Sequence, residues 1–147
     1  MKEQLHQHLL DLVSDKLDVI NLAFAEKRED LLSESKSTAG DKHETGRAMI
    51  QLEQEKLSGQ MLQLNAQLEI LHRINPAQPS KTVRSGSLVH TDQGVFYLAI
   101  GIGPVKFDRN TYLCIAPTAP IGLAMLGKSV GEHVSFNGNR QEIRDIL

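Results

Sequence analysis

Ser33-Glu34-Ser35-Lys36-Ser37-Thr38-Ala39-Gly40-Asp41-Lys42-His43-Glu44-Thr45-Gly46 is a polar break between two stretches of helical spacing. Before it, Leu10, Val13, Leu17, Ile20, Phe24 and Leu31 recur in steps of three and four, with Lys27 filling the gap. After it, Ile50, Leu57, Met61, Leu64, Leu68 and Leu71 do the same, with Gln54 as the polar interruption. Such steps mark a coiled-coil seam. No proline occurs in the first 75 residues. A short polar connection between two helices implies antiparallel neighbours. Residues 1–75 are therefore read as one helical hairpin with its turn between Ser33 and Asp41. Each arm of about 30 residues would be roughly 45 Å long.

Outward from the hairpin the character changes. Asn75-Pro76-Ala77-Gln78-Pro79-Ser80-Lys81 carries two prolines, which stop the helix, and residues 76–81 are read as a linker. Residues 82–147 hold five of the six aromatics and most of the glycines. Residues 95–102 and 111–116 read as strands, 134–136 and 142–146 as shorter ones, and 121–126 as about two helical turns. The expected class is α+β: a hairpin followed by a small domain near the lower size limit for its own core.

Bulk properties exclude several functions. The net charge is −2; up to Asn75 there are 9 Lys+Arg against 13 Asp+Glu, and from Pro76 onward 7 against 5. An acidic first half argues against duplex binding, which needs concentrated Lys and Arg. The lone Cys114 permits no intrachain disulfide, and in Tyr112-Leu113-Cys114-Ile115 it reads as a buried, inert thiol. No signal-peptide core or membrane-length apolar run is present, so a soluble cytoplasmic protein without membrane contact is expected.

The break carries the chemistry. Asp41 and Glu44, three apart, share one face of a helical turn. Two carboxylates can share a Mg²⁺ whose shell is completed by water and phosphate oxygens. Asp-x-x-Glu is equally a capping box, and spacing favours that reading; the two roles are compatible. Lys36, Lys42 and Arg47 surround the pair and suit an RNA backbone, although such residues are more often merely solvated. His43 reads as exposed, and His6 and His8, two apart on a helix, diverge. Gly101-Ile102-Gly103 lacks the third glycine of a dinucleotide site.

Two segments resemble the Gre family of transcription elongation and transcript cleavage factors (GreA/GreB). Residues 39–47 contain an Asp-x-x-Glu pair where the family carries one at its hairpin tip. Ala119-Pro120-Ile121-Gly122-Leu123-Ala124-Met125-Leu126-Gly127-Lys128-Ser129-Val130-Gly131-Glu132-His133-Val134 is similar to the family's late signature, and Ser85-Gly86-Ser87-Leu88-Val89 to the opening of its second domain. The resemblance implies an FKBP-like second domain that docks at the rim of the RNA polymerase secondary channel, through Pro120, Gly122, Gly127, Lys128 and Gly131. It implies a monomeric accessory factor, not an enzyme, whose Asp41 and Glu44 hold a Mg²⁺ shared with the polymerase. Backtracked RNA is then cut near its 3′ end. The free protein would hold no metal tightly and read no DNA sequence. Leu123 and Leu126 are expected to build the turn and helix, not the docking surface.

Thr45-Gly46-Arg47-Ala48 departs from the family's Asn-Ala-Glu-Tyr, and Lys42 and His43 put positive charge between the acids. That leaves open a channel-binding regulator or inhibitor without cleavage activity. A peptidyl-prolyl isomerase or chaperone is a remote alternative on fold analogy.

Overall fold

The computed structural model describes the backbone of residues 1–36 and 40–147, and the side chains outside 34–44. Helix α1 (Lys2–Lys36) and helix α2 (Gly40–Arg73) run into the polar break from its two ends. Six strands and one short helix follow: β1 (Leu88–Thr91), β2 (Gly94–Leu98), β3 (Gly103–Phe107), β4 (Asn110–Ile115), α3 (Pro120–Met125), β5 (His133–Phe136) and β6 (Asn139–Ile146). The α+β class and the order of hairpin then sheet domain are as expected. The chain forms two compact units, Asp11–Leu68 and Met1–Leu10 with Glu69–Leu147.

Within Asp11–Leu68 the helices run antiparallel. Leu12 to Ile20 share a groove with Gln60 to Leu64, and Lys27 shares one with Gly46 to Lys56. The expected seam is the less exposed face: Leu17, Ile20, Phe24, Lys27 and Leu31 on one arm, Ile50, Gln54, Met61, Leu64 and Leu68 on the other, are all half-buried. Only Val13 and Leu57 are fully buried there. Two helices have no third layer, so Val19, Leu22, Leu52 and Leu62 stay exposed. The seam differs from expectation at its start, where Leu9 is buried and Leu10 only half-buried.

The second unit is a six-stranded sheet in the order β3-β4-β2-β1-β6-β5. All pairs are antiparallel except β2 with β4. Alternation along β2 divides its faces. Phe96 and Leu98 join Val83, Val89, Met125, Val134, Ile143 and Ile146 in one core, with Ile121 and Ala124 of α3 packed on it. Tyr97 lies on the other face, in register with Leu88 and Cys114, and meets His6 of α1. Leu5, Leu9 and Leu71 are fully buried in this unit. Cys114 is buried as expected, and burial pushes its thiol up to about 12.

The strands depart from the sequence reading, which did not include β1. The run 95–102 stops as a strand at Leu98, because Ile102 N–H turns back onto the Ile100 carbonyl (3.2 Å) and Gly103 takes φ +78°. The chain then reverses into β3, which pairs with β4 and was not anticipated. β6 extends from Asn139, three residues earlier than read.

Candidate functional site

Helix α3 is built by its own sequence. Pro120 occupies the first turn, where a missing N–H costs nothing. Gly122 is buried, and a Cβ there would lie 2.3 Å from the Ala116 carbonyl oxygen. The helix therefore seats against the 116–117 backbone only because this position has no side chain. Its inward residues are Ile121, Ala124 and Met125. Its outward residues are apolar too: Leu123 is 60% exposed and Leu126 is 37% exposed. Val130, just beyond, is 56% exposed.

The turn after α3 is held from both sides. Gly127 N–H donates to the Val83 carbonyl and Val83 N–H to the Lys128 carbonyl, both at 2.8 Å. Gly131 N–H donates to Ile143 (2.8 Å), and Ile143 N–H returns to Glu132 (2.9 Å). Gly127 and Gly131 sit at φ +81° and +91°, which side-chain-bearing residues avoid. Lys128 approaches Glu132 at 3.8 Å, and Glu132 accepts from Ser129 N–H at 3.0 Å.

Of the residues proposed from sequence for docking, Gly122, Gly127 and Gly131 thus have backbone reasons to be glycine, and Pro120 starts the helix. They carry the scaffold; the surface it presents is Leu123, Leu126 and Val130. Leu123 and Leu126, expected to build the turn and helix, also leave side-chain surface open to solvent. Large exposed apolar side chains close together on a monomer mark interaction sites.

Asp41 and Glu44 fall on the first two turns of α2 by backbone, but their side chains lie outside the described residues, as do those of Lys36, Lys42 and His43. Arg47 is exposed. Among the described residues, no group of three or more His, Cys, Asp or Glu is placed to hold a metal ion. No described helix is long and apolar enough to cross a membrane.

No family model matches the chain, and neither does any curated protein. Among solved structures there is a similar one. It is that of the transcription factor Gfh1, 18% identical over 92% of this chain and 89% of that chain, with a TM-score of 0.37.

The histidines passed over in the sequence are placed by the fold. His6 is 4% exposed. Its Nε2 lies 2.9 Å from the Leu71 carbonyl and its Nδ1 2.7 Å from the Tyr97 hydroxyl. A carbonyl only accepts, so Nε2 carries the proton and Nδ1 accepts from the tyrosine. Burial holds the His6 pKa below its usual value; the hydrogen bond to Leu71 opposes that, and the charges of His72 and Lys2 assist it. Burial also raises the Tyr97 pKa, with Cys114 adding to it. The pair is thus neutral and fully bonded, a structural tie between α1, α2 and β2. His8 stacks on Phe107 with ring centroids 4.9 Å apart.

Proposed function

We propose that this chain is a Gre-like regulator of RNA polymerase. It occupies the secondary channel with its hairpin and acts on elongation by stimulating the polymerase's own cleavage of backtracked RNA. The observation that carries the reading is an antiparallel hairpin whose return helix opens on Asp41 and Glu44. The Gre-like segment 119–134 supports it, because it folds into a turn tied by backbone hydrogen bonds that leaves Leu123, Leu126 and Val130 exposed, as a docking face requires. In this reading the polymerase is the enzyme. Asp41 and Glu44 would hold a Mg²⁺ shared with it, and together with a second ion of the polymerase that metal would supply charge stabilisation for the attacking water and the leaving oxygen of phosphodiester hydrolysis. Arg47, with Lys36 and Lys42, lies near the RNA 3′ end.

A second reading rests on Thr45-Gly46-Arg47-Ala48, which lacks the acidic and aromatic residues of cleavage factors. There the chain fills the channel and modulates the polymerase without cleavage.

The deciding experiment is RNA cleavage in purified backtracked elongation complexes with the wild type and Asp41→Asn. Asn keeps the size of Asp, and in the first turn of α2 the lost charge is worth at most about 1 kcal/mol, so folding survives while the charge is lost. Stimulated cleavage is expected from the wild type and not from Asp41→Asn, with equal polymerase binding. Wild-type binding without cleavage at any Mg²⁺ concentration selects the second reading. No binding to polymerase overturns both.

A further inference from the structure

A cavity of about 340 Å³ opens in the sheet-bearing unit, where the last turn of α2 meets the segment leading into β1. Ile70 and Ile74 give it an apolar side, and Asn75, Gln78, Arg73 and Arg84 a polar one. Ser85 and Gly86 close it. Gly86, at φ +89°, is confined to glycine by space as well, since a Cβ would meet Ile74 Cγ2 at 2.8 Å.

The charges around this cavity are unbalanced. The Arg84 guanidinium donates to the Pro79 carbonyl (3.2 Å) and has no carboxylate partner among the described residues. Lys2, 9% exposed, donates to the Gln78 carbonyl (3.2 Å) behind the wall. The nearness of Arg84 adds to burial in lowering its pKa, and Glu3 opposes weakly. Arg73 is paired with Glu69 on its outer side, an exposed ion pair that offsets little of its charge. The C-terminal end of α2 contributes roughly half a negative charge. That is less than a single guanidinium carries, so the cavity stays cationic.

We propose that this cavity binds a small phosphate-bearing anion, a di- or triphosphate or its nucleoside ester. Arginine forks match phosphate oxygens in a way a point charge does not. Asn75, Gln78 and the Ser85 hydroxyl add donors, and Ile70 and Ile74 offer a face to any attached base. The volume is at the lower end of small-molecule sites. It is a half-open bowl of limited volume, which favours a compact ligand over a polymer. The assignment is independent of polymerase binding.

The test is calorimetric titration of the full chain with inorganic pyrophosphate, tripolyphosphate and adenosine triphosphate at low and physiological salt. Saturable one-to-one binding below about 1 mM is expected. The nucleotide binding more tightly than tripolyphosphate assigns the Ile70–Ile74 face to the base; equal affinities assign the site to phosphate alone. Arg84→Gln and Arg73→Gln should each weaken binding at least tenfold. Lys106→Gln, the same charge loss on exposed β3, should change it less than twofold. Equal loss from all three variants means diffuse electrostatics and overturns the site. So does no saturation with any of the three probes, or tighter binding of a single-stranded RNA oligomer by the same arginines.

Discussion

His6→Ala removes the tie between α1, the end of α2 and β2, and its cost follows from the geometry. The Tyr97 hydroxyl is fully buried and loses its partner, which costs about 1–3 kcal/mol. The Leu71 carbonyl loses less, because it also accepts from Ile74 N–H at 3.2 Å. The lost ring leaves a cavity of about 70 Å³, worth about 1.7 kcal/mol at the usual cavity coefficient. Destabilisation should total about 3–5 kcal/mol. Tyr97→Phe alone leaves Nδ1 of His6 unpaired. The double variant has neither orphan, so it should cost less than the two singles together, by about 1–2 kcal/mol. The chain has two tyrosines and no tryptophan, and both tyrosines are buried in the sheet-bearing unit. Tyr112 fluorescence in urea thus reports that unit without the arms, and serves even when Tyr97 is replaced. Additive single-variant costs, or a His6→Ala cost under about 1 kcal/mol, would refute the hydrogen-bonded pair.

Three further outcomes are expected. Because the folded His6 pKa lies below its unfolded value near 6.5, the unfolded state takes up the proton first. Stability of the sheet-bearing unit is then full above pH 6.5 and falls as pH drops from there toward the lowered pKa, by at most about 1.4 kcal/mol per pH unit; urea midpoints across pH 5–8 check it, and His6→Ala should flatten the slope. Gly122→Ala drives a methyl onto the Ala116 carbonyl and should destabilise by about 3 kcal/mol, read by thermal melts. Leu123→Glu, on the exposed side of α3, should change stability by no more than about 0.5 kcal/mol while weakening polymerase association at least tenfold in a pull-down titration.

The hairpin was readable because its seam repeats at seven positions along each arm, and burial on α2 follows that spacing down to Gln54. Strand β4 was readable for a like reason, as an apolar run bounded by polar turns. What stayed hidden depended on partners far along the chain. Leu5 and Leu9 continue the helical rhythm of the arms, so spacing cannot tell that they serve another unit than Val13. His6 looked inert because its partners, Leu71 and Tyr97, are 65 and 91 residues away. In segment 119–134 the glycines stood out by identity, yet their roles are conformational. The exposed leucines were ordinary as letters and became notable only once α3 showed which side faces water. The tip acids were legible as a pair, and their side chains lie outside the described residues.

Burial of Leu5, His6 and Leu9 against residues that follow them by up to about a hundred positions also orders events during synthesis. The arms hold their seam within Asp11–Leu68 and are complete once α2 has been made. The last strand, β6, arrives some 75 residues after Leu71, which at ribosomal speed is about 4–15 s. For that interval His6 lacks Tyr97, and Leu5, Leu9 and Leu71 lack the rest of the unit in which they are buried, on a nascent chain whose arms already expose Val19, Leu22 and Leu62. The interval from paired arms to closed sheet is when this chain offers most to chaperones, and substitutions that slow β2 or β4 should lower its yield in cells before they alter the folded protein.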